Sequence, residues 1–340
     1  MGASATASVG AKPAAGGGLP RPTLVILAAG LASRYGRLKQ LDPVGPAGEA
    51  LMDYAIHDAV RAGFAGIVLV VRTEIEAEVR RHVERIVGGA VPVSFVCQRL
   101  DDVPPGVAVP AGRRRPWGTV HAILTAEPAV PGPFAVCNAD DFYGRGAYRR
   151  LYAHLTAPAG PAAGTAALVG YPLRSTLSRW GGVSRAVCRV DPDGWLERIV
   201  EVREVREVGG GRSGADAAGP PRAGPATDGR RITGIAEDGA PMSLDDDVVV
   251  SMNLWGFMPS VFRAFRRQFT EFVARRGADP DAELAISTAV NEQIQAGALR
   301  LRVLPADDEW FGMTFPEDRA DVVRRIAERI AAGEYAEGRG

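Results

Sequence analysis

From Thr23 onward the chain alternates short apolar runs with segments whose apolar residues recur at helical spacing. TLVILAA is followed by a helical pattern in LMDYAIHDAVRAG and then by the apolar run GIVLVV. Over 73–87, Ile75, Val79, Val83 and Ile86 fall on one helix face. VPVSFVCQ, a helix opening at Thr119, the run PFAVCNA and a helix over 147–155 continue the alternation. Repeated strand–helix–strand units of this size require right-handed crossovers. They predict an α/β, Rossmann-like fold with a mostly parallel mixed sheet covered by helices on both faces. A ligand of such a sheet sits beyond the carboxyl ends of its strands.

After about residue 164 the pattern changes. TAALVGYPL, VSRAVCRV, LERIVEV, RITGIAE and DDVVVSMNLWGF are short strand candidates separated by Gly, Pro and Asp, which predicts antiparallel additions that shape a pocket. Two helices follow, one carrying Val261, Phe262, Phe265, Phe269 and Phe272, the other from about Asp281. The aromatic stripe reads as core packing rather than a base-stacking surface. The strand LRLRVLP, the segment WFGMTFPED and a helix with Val322, Ile326 and Ile330 complete the pattern. Residues 1–22 hold almost nothing to bury and are expected to be a disordered tail. The segment 209–230, rich in Gly, Pro and Ala without apolar periodicity, is expected to be a mobile surface insert, and 335–340 a flexible end. That leaves 23–334 as a single domain.

Composition narrows the function classes. A chain of 340 residues, 46% of them hydrophobic, can bury a sizeable core and is long enough for an enzyme. Lys plus Arg and Asp plus Glu both number 40, so no net field favours nucleic acid or an anionic membrane. Any bound anion must meet a local cluster of charge. Cys97, Cys137 and Cys188 are too far apart for a local metal motif and read as core thiols of a cytoplasmic protein. No apolar run approaches the roughly 18 residues of a membrane span.

The chemistry concentrates in two stretches. In LVILAAGLASRYGRLKQL, residues 24–41, a strand runs through Ala28, Ala29 and Gly30 into a turn-rich segment bearing Arg34, Arg37 and Lys39. Backbone N–H groups there can close on phosphate oxygens, and the basic side chains add full charges. The segment is neither GxGxxG nor GxxxxGK[ST]. In AVCNADDFYG a second strand brings Asn138, Asp140 and Asp141 to the same rim, where a carboxylate can hold Mg²⁺ against phosphate oxygens. A cationic loop beside a metal-capable strand end is what nucleoside triphosphate chemistry requires. Trp117 and Gly118 suit a flat ligand, and His121 stands at a helix start, either beside the base or as a packing residue.

LAAGLASRYGRLKQL, RPWGTVHAILTAE, NADDFYG, MNLWGFMPSVF and ALRLRVLPADDEWFGMTFPED, in this order, resemble the landmarks of the sugar-phosphate nucleotidylyltransferases. The resemblance implies a GT-A-like fold and Mg²⁺-dependent transfer of a nucleotidyl group from a nucleoside triphosphate to a sugar 1-phosphate, with release of pyrophosphate. It puts catalytic roles on Arg34, Lys39 and Asp140, with Asp140 also the metal ligand. Nucleotide contacts fall on Ala28, Ala29, Gly30, Gln98, Gly118 and Asp141, and sugar-phosphate contacts on Gly182 and Glu201. Two departures stand out. Ala32 occupies the place of a signature glycine, and a second metal carboxylate has no clean match, since Ser287, Thr288 and Gly312 hold its expected neighbourhood and Asp307 and Asp308 are only positional candidates. These departures motivate an alternative, a catalytically weak nucleotide-sugar sensor or scaffold of the same fold. A metal-dependent glycosyltransferase, with NADD as its acidic motif, is a third class.

Overall fold

The computed structural model describes residues 20–30, 38–158, 165–208 and 231–335. The expected insert at 209–230, most of the expected tail, and Ala32, Arg34 and Arg37 lie outside the described residues. The first half runs β1 (Thr23–Leu27), α1 (Leu51–Ala62), β2 (Gly66–Val71), α2 (Glu76–Val87), β3 (Val93–Cys97), α3 (Thr119–Ala126), β4 (Phe134–Asn138), β5 (Asp141–Phe142) and α4 (Arg145–Leu155). Leu24, Val25 and Ile26 of β1 are all fully buried, as a strand sandwiched between helix layers must be. Alternation divides them: Leu24 and Ile26 join the core beneath α1, α2 and α4, whereas Val25 joins the core beneath α3 and the later helices. β1 pairs in parallel with β2 on one side and β4 on the other, and β2 with β3.

The second half contributes β6 (Ala166–Pro172), β7 (Val183–Val190), β8 (Leu196–Val208), β9 (Arg231–Ile235), β10 (Pro241–Leu244) and β11 (Val249–Phe257). It continues with α5 (Val261–Arg276), α6 (Ile286–Gln295), β12 (Leu301–Pro305), β13 (Phe311–Gly312) and α7 (Asp318–Ala331). β11 lies antiparallel to β4, β6 and β7, and so ties the parallel half to the antiparallel ribbon of β7, β8, β9 and β10. β12 adds in parallel to β6. The result is the expected Rossmann-like, GT-A-like mixed sheet, helix-covered on both faces, with antiparallel additions in its second half.

Two differences from the sequence expectations have local causes. The helix expected from about Asp281 begins at Ile286, because 279–284 is held against the loop before α3. Buried Arg113 donates to the carbonyls of Asp279 and Ala282, while Leu284 bonds the Trp117 carbonyl through its N–H and the Val120 N–H through its carbonyl. β5 and β13 form a two-stranded pair too short for any periodicity to announce. This pair sits under α7 in a third cluster with Tyr54, Phe142, Phe311, Val322 and Ile326. Phe142 and Phe311 stack at 4.4 Å, so α7 and α1 together brace the chain just past the end of β4.

Candidate active site

The carboxyl ends of β1, β3 and β4 open onto a cleft of about 390 Å³ lined by Ala29, Gly30, Gln98, Gly118, Asn138 and Asp140, among others. A second, more polar cavity of about 200 Å³ is lined by Asp141, Arg185, Glu201, Asn253, Trp310 and Thr314, and it shares Asn138 and Asp140 with the first. Asp140 therefore stands where the two cavities meet. Its Oδ2 receives Lys39 Nζ at 2.5 Å across 101 positions of sequence, with the carboxylate side chain about one-third exposed.

The individual expectations sort as follows. Ala29, Gly30, Gln98 and Gly118 line the first cleft. Ala28 does not: its side chain is buried in the core and its N–H donates to the Val70 carbonyl at 2.8 Å, making it a rung between β1 and β2. Asp141 lines the second cavity, not the first. Asn138 Nδ2 donates to its Oδ2 at 2.8 Å and the Tyr143 hydroxyl stands 3.2 Å from the same oxygen. Burial first, and the neighbouring Asp140 second, push its pKa up to about 7. Glu201 lines the second cavity, accepts a 2.5 Å bond from Ser287 Oγ, and has its pKa raised chiefly by burial. Gly182 serves packing: a Cβ there would lie 2.9 Å from Glu204 Cα, so its absence lets β7 approach the irregular stretch of β8. Arg34 lies outside the described residues.

Around Gln98 the polar contacts are tightly specified. Its Nε2 lies 3.0 Å from His121 Nδ1 and donates to the Gly118 carbonyl at 3.3 Å. His121 Nε2 is 2.7 Å from the Asp102 carbonyl, and the imidazole stacks on Phe269 at 4.9 Å. Burial is the first cause of a lowered His121 pKa, so the ring is neutral at neutral pH.

Arg185 and Asn253 are site residues that pattern reading missed. Arg185 is buried, donates to Thr176 Oγ1 at 3.1 Å and the Ser184 carbonyl at 2.7 Å, and packs 5.1 Å from the Trp310 ring. Burial lowers its pKa to about 10, which leaves it charged at neutral pH, and it has no carboxylate at ion-pair distance among the described residues. Asn253 sits in β11 at a break in register between Ser251 and Trp255, with φ 64°. Asparagine tolerates that left-handed conformation, and a polar residue inside an apolar strand was the available signal of a bulge. The bulge turns Asn253 to the second cavity, where Trp255 Nε1 donates to its Oδ1 at 3.2 Å.

A divalent cation has a limited protein donor set here. Among the described residues no group of three or more His, Cys, Asp or Glu can hold a metal ion by itself. Asp307 pairs with Arg150, and Asp308 accepts from the Gly146 N–H at 2.6 Å, so both positional candidates for a second carboxylate are engaged beside α4. Asp140 fits a cation: an ammonium already stands against its carboxylate, and a hard cation needs only one or two carboxylates when substrate phosphates complete its shell.

Residues 24–179 match the family model of the MobA-like NTP transferase domain. Two solved structures share the fold. The inositol-1-phosphate CTP transferase from T. maritima superposes with a TM-score of 0.55 at 12% identity, over 91% of this chain and 98% of that one. A UDP-glucose pyrophosphorylase complexed with UDP-glucose gives a TM-score of 0.55 at 14% identity, over 91% of this chain and 99% of that one. No curated protein matches the sequence. Over residues 24–179 the chain is thus similar to the MobA-like NTP transferase domain, and its fold as a whole is shared with these two solved structures.

Proposed function

We propose that the chain transfers a nucleotidyl group from a nucleoside triphosphate to a sugar 1-phosphate and releases pyrophosphate, in a Mg²⁺-dependent reaction. The observation that carries this reading is the junction of two cavities at Asp140, with Lys39 on its carboxylate. A nucleotide in the first cleft directs its phosphates toward that junction, and an acceptor in the second brings its own phosphate to the other side. The names of the two structural relatives, a CTP transferase of inositol 1-phosphate and a UDP-glucose pyrophosphorylase, describe chemistry of the same kind and support the proposal.

The reaction asks little of acid–base groups. A sugar 1-phosphate is already an anion and attacks the α-phosphorus in line, so the protein's task is positioning and charge compensation. Lys39 moves from Asp140 onto the triphosphate oxygens, and Arg34 adds a second charge to the phosphoryl group. Asp140 would hold Mg²⁺ together with the phosphates, and the bound ion would supply neutralisation of the developing negative charge. On the acceptor side, Arg185 offers a desolvated cation for the sugar phosphate, while Glu201 and Asn253 offer partners for hydroxyl groups. Neutral His121, fixed by its two hydrogen bonds, is no proton shuttle.

That no group of three or more His, Cys, Asp or Glu among the described residues can hold a metal ion is the one observation that favours a nucleotide-sugar sensor. One variant separates the two readings. In Asp140→Asn, pyrophosphate release across a panel of triphosphates and sugar 1-phosphates is expected to fall by about 10²-fold or more, while nucleotide binding without Mg²⁺ changes by less than about threefold. Wild-type protein that binds nucleotide yet releases no pyrophosphate in either direction of the reaction would replace the transferase with the sensor.

A further inference from the structure

Another cavity lies at the end of the sheet opposite Asp140. It measures about 450 Å³, against about 390 Å³ for the first cleft. It forms where β6 opens at Ala166 and β11 closes at Phe257. Phe257 pairs with Phe134, the first residue of β4, whereas Asp140 comes after the last. The length of β4, roughly 13 Å, therefore separates this cavity from the junction at Asp140.

One strip of α5 faces the cavity. Ser260, Arg263 and Arg267 stand at helical spacing along it, while Phe262, Phe265 and Phe269 of the same helix go to the core. Arg263 has no hydrogen-bond or ion-pair partner among the described residues, and Arg267 reaches only Glu271 of its own helix, at 3.9 Å. The stretch just before β6, AGPAAG at 159–164, brings no carboxylate by its sequence. The amino end of α5 offers little of its own, since the Val261 and Phe262 N–H groups donate to the Met258 and Pro259 carbonyls. Any anion here is met by side chains.

Gln293 lines the same cavity although only 4% of it is exposed. Its orientation follows from its neighbour. Gln268 Nε2 gives its two protons to acceptors, the Ala289 carbonyl at 2.9 Å and Glu292 Oε2 at 2.8 Å. Gln268 Oε1 must therefore accept, and it takes Gln293 Nε2 at 2.8 Å. Gln293 Oε1 is left without a donor among the described residues. Buried amide oxygens are paired as a rule, so an unanswered one on a cavity wall points to a ligand. Phe257, Val261 and Leu299 make the wall around it apolar.

We propose that this cavity is a second ligand site, for a phosphate monoester that carries a flat apolar body and a hydroxyl or N–H donor. Arg263 and Arg267 take the phosphate, the apolar wall takes the body, and Gln293 Oε1 accepts from the donor. A carboxylate has two oxygens and fills one guanidinium fork, whereas a phosphate monoester has three and answers both. Inorganic phosphate would leave the wall and the Gln293 oxygen unanswered.

The site stands apart from the proposed function, and its test needs no turnover. Hydrogen exchange of the full chain is measured by mass spectrometry with 4-hydroxyphenyl phosphate, phenyl phosphate or inorganic phosphate. The hydroxylated ester is expected to slow exchange over 257–267 and 293–299, at half-saturation about tenfold or more below that of inorganic phosphate and about threefold or more below that of phenyl phosphate. The double variant Arg263→Gln, Arg267→Gln alters exposed side chains only, so its exchange without ligand should match the wild type while its half-saturation rises by about tenfold or more. No protection of these segments, or protection confined to the residues of the first cleft, overturns the site. Inorganic phosphate that binds as tightly as the esters overturns the ligand class. Unchanged affinity in the double variant removes the two arginines from the site, and equal binding of the two esters removes the Gln293 oxygen from it.

Discussion

Lys39 and Asp140 are held together by a contact of 2.5 Å in a partly exposed setting, where an ion pair adds little to stability. The same ammonium has far more to gain from charge that accumulates on a phosphoryl group in a site closed to water. Lys39→Ala is therefore expected to lower pyrophosphate release by about 10²-fold or more while the melting temperature moves by no more than about 3 °C. Near-normal turnover in the purified variant would return Lys39 to the status of a solvated loop residue. Lys39 and Asp140 were legible in the sequence because each follows an apolar strand whose carboxyl end must face the ligand side. Arg185 was not. It has the same strand parity as Arg189 in an unbroken register with β8, yet Arg185 is buried beside Trp310 and Thr176 while Arg189 is exposed. Only the tertiary pairing tells them apart. Arg34, whose role rests on the same loop, lies outside the described residues and stands as a proposal.

Among the elements, α3 couples the base side of the site to stability through a histidine held neutral by burial. His121 and His154 both have lowered pKa values, desolvation being the larger cause in each. The unfolded chain takes up these protons near pH 6.5, whereas the folded chain takes them up only at lower pH. Below 6.5 the unfolded state thus binds more protons, and stability is lost as the pH falls through that value, levelling off below the folded pKa values. Denaturant unfolding from about pH 8 to about pH 5 is expected to show this fall, and His121→Asn to make it shallower, because one of the two groups is gone. Superimposable slopes would mean that His121 takes up its proton at the same pH in the folded and the unfolded protein. The alternation of strands and helices in the first half was readable because strands buried on both faces are continuous apolar runs and helices are not. The start of α6 was misread because a buried arginine distant in sequence, Arg113, keeps 279–284 from coiling. The β11 bulge lay hidden in DDVVVSMNLWGF, where Asn253 was its single polar trace.

On the scale of the whole molecule, the family match ends at residue 179 but the structural unit does not. β4, which delivers Asp140, has β11 as its second neighbour, with Trp255, Gly256 and Phe257 opposite Val136, Ala135 and Phe134. Phe134 stacks on Phe262 of α5 at 4.8 Å, and Trp117 meets Phe269 of the same helix edge to face at 6.3 Å. A fragment of residues 20–179 would leave β4 with an open edge and an uncovered aromatic face, a combination that favours association between chains over folding. The second cavity would also lose Glu201, Asn253 and Trp310, so neither the sheet nor the acceptor side closes without the later strands. The single domain over 23–334 expected from the sequence pattern then has a direct consequence: far- and near-ultraviolet circular dichroism of the full chain should report one coincident thermal transition. The fragment should give no cooperative melt and should elute from a sizing column as an aggregate. A monomeric fragment with its own sharp transition would divide the chain in two, and would make the antiparallel half an accessory to a nucleotide-binding module that folds without it.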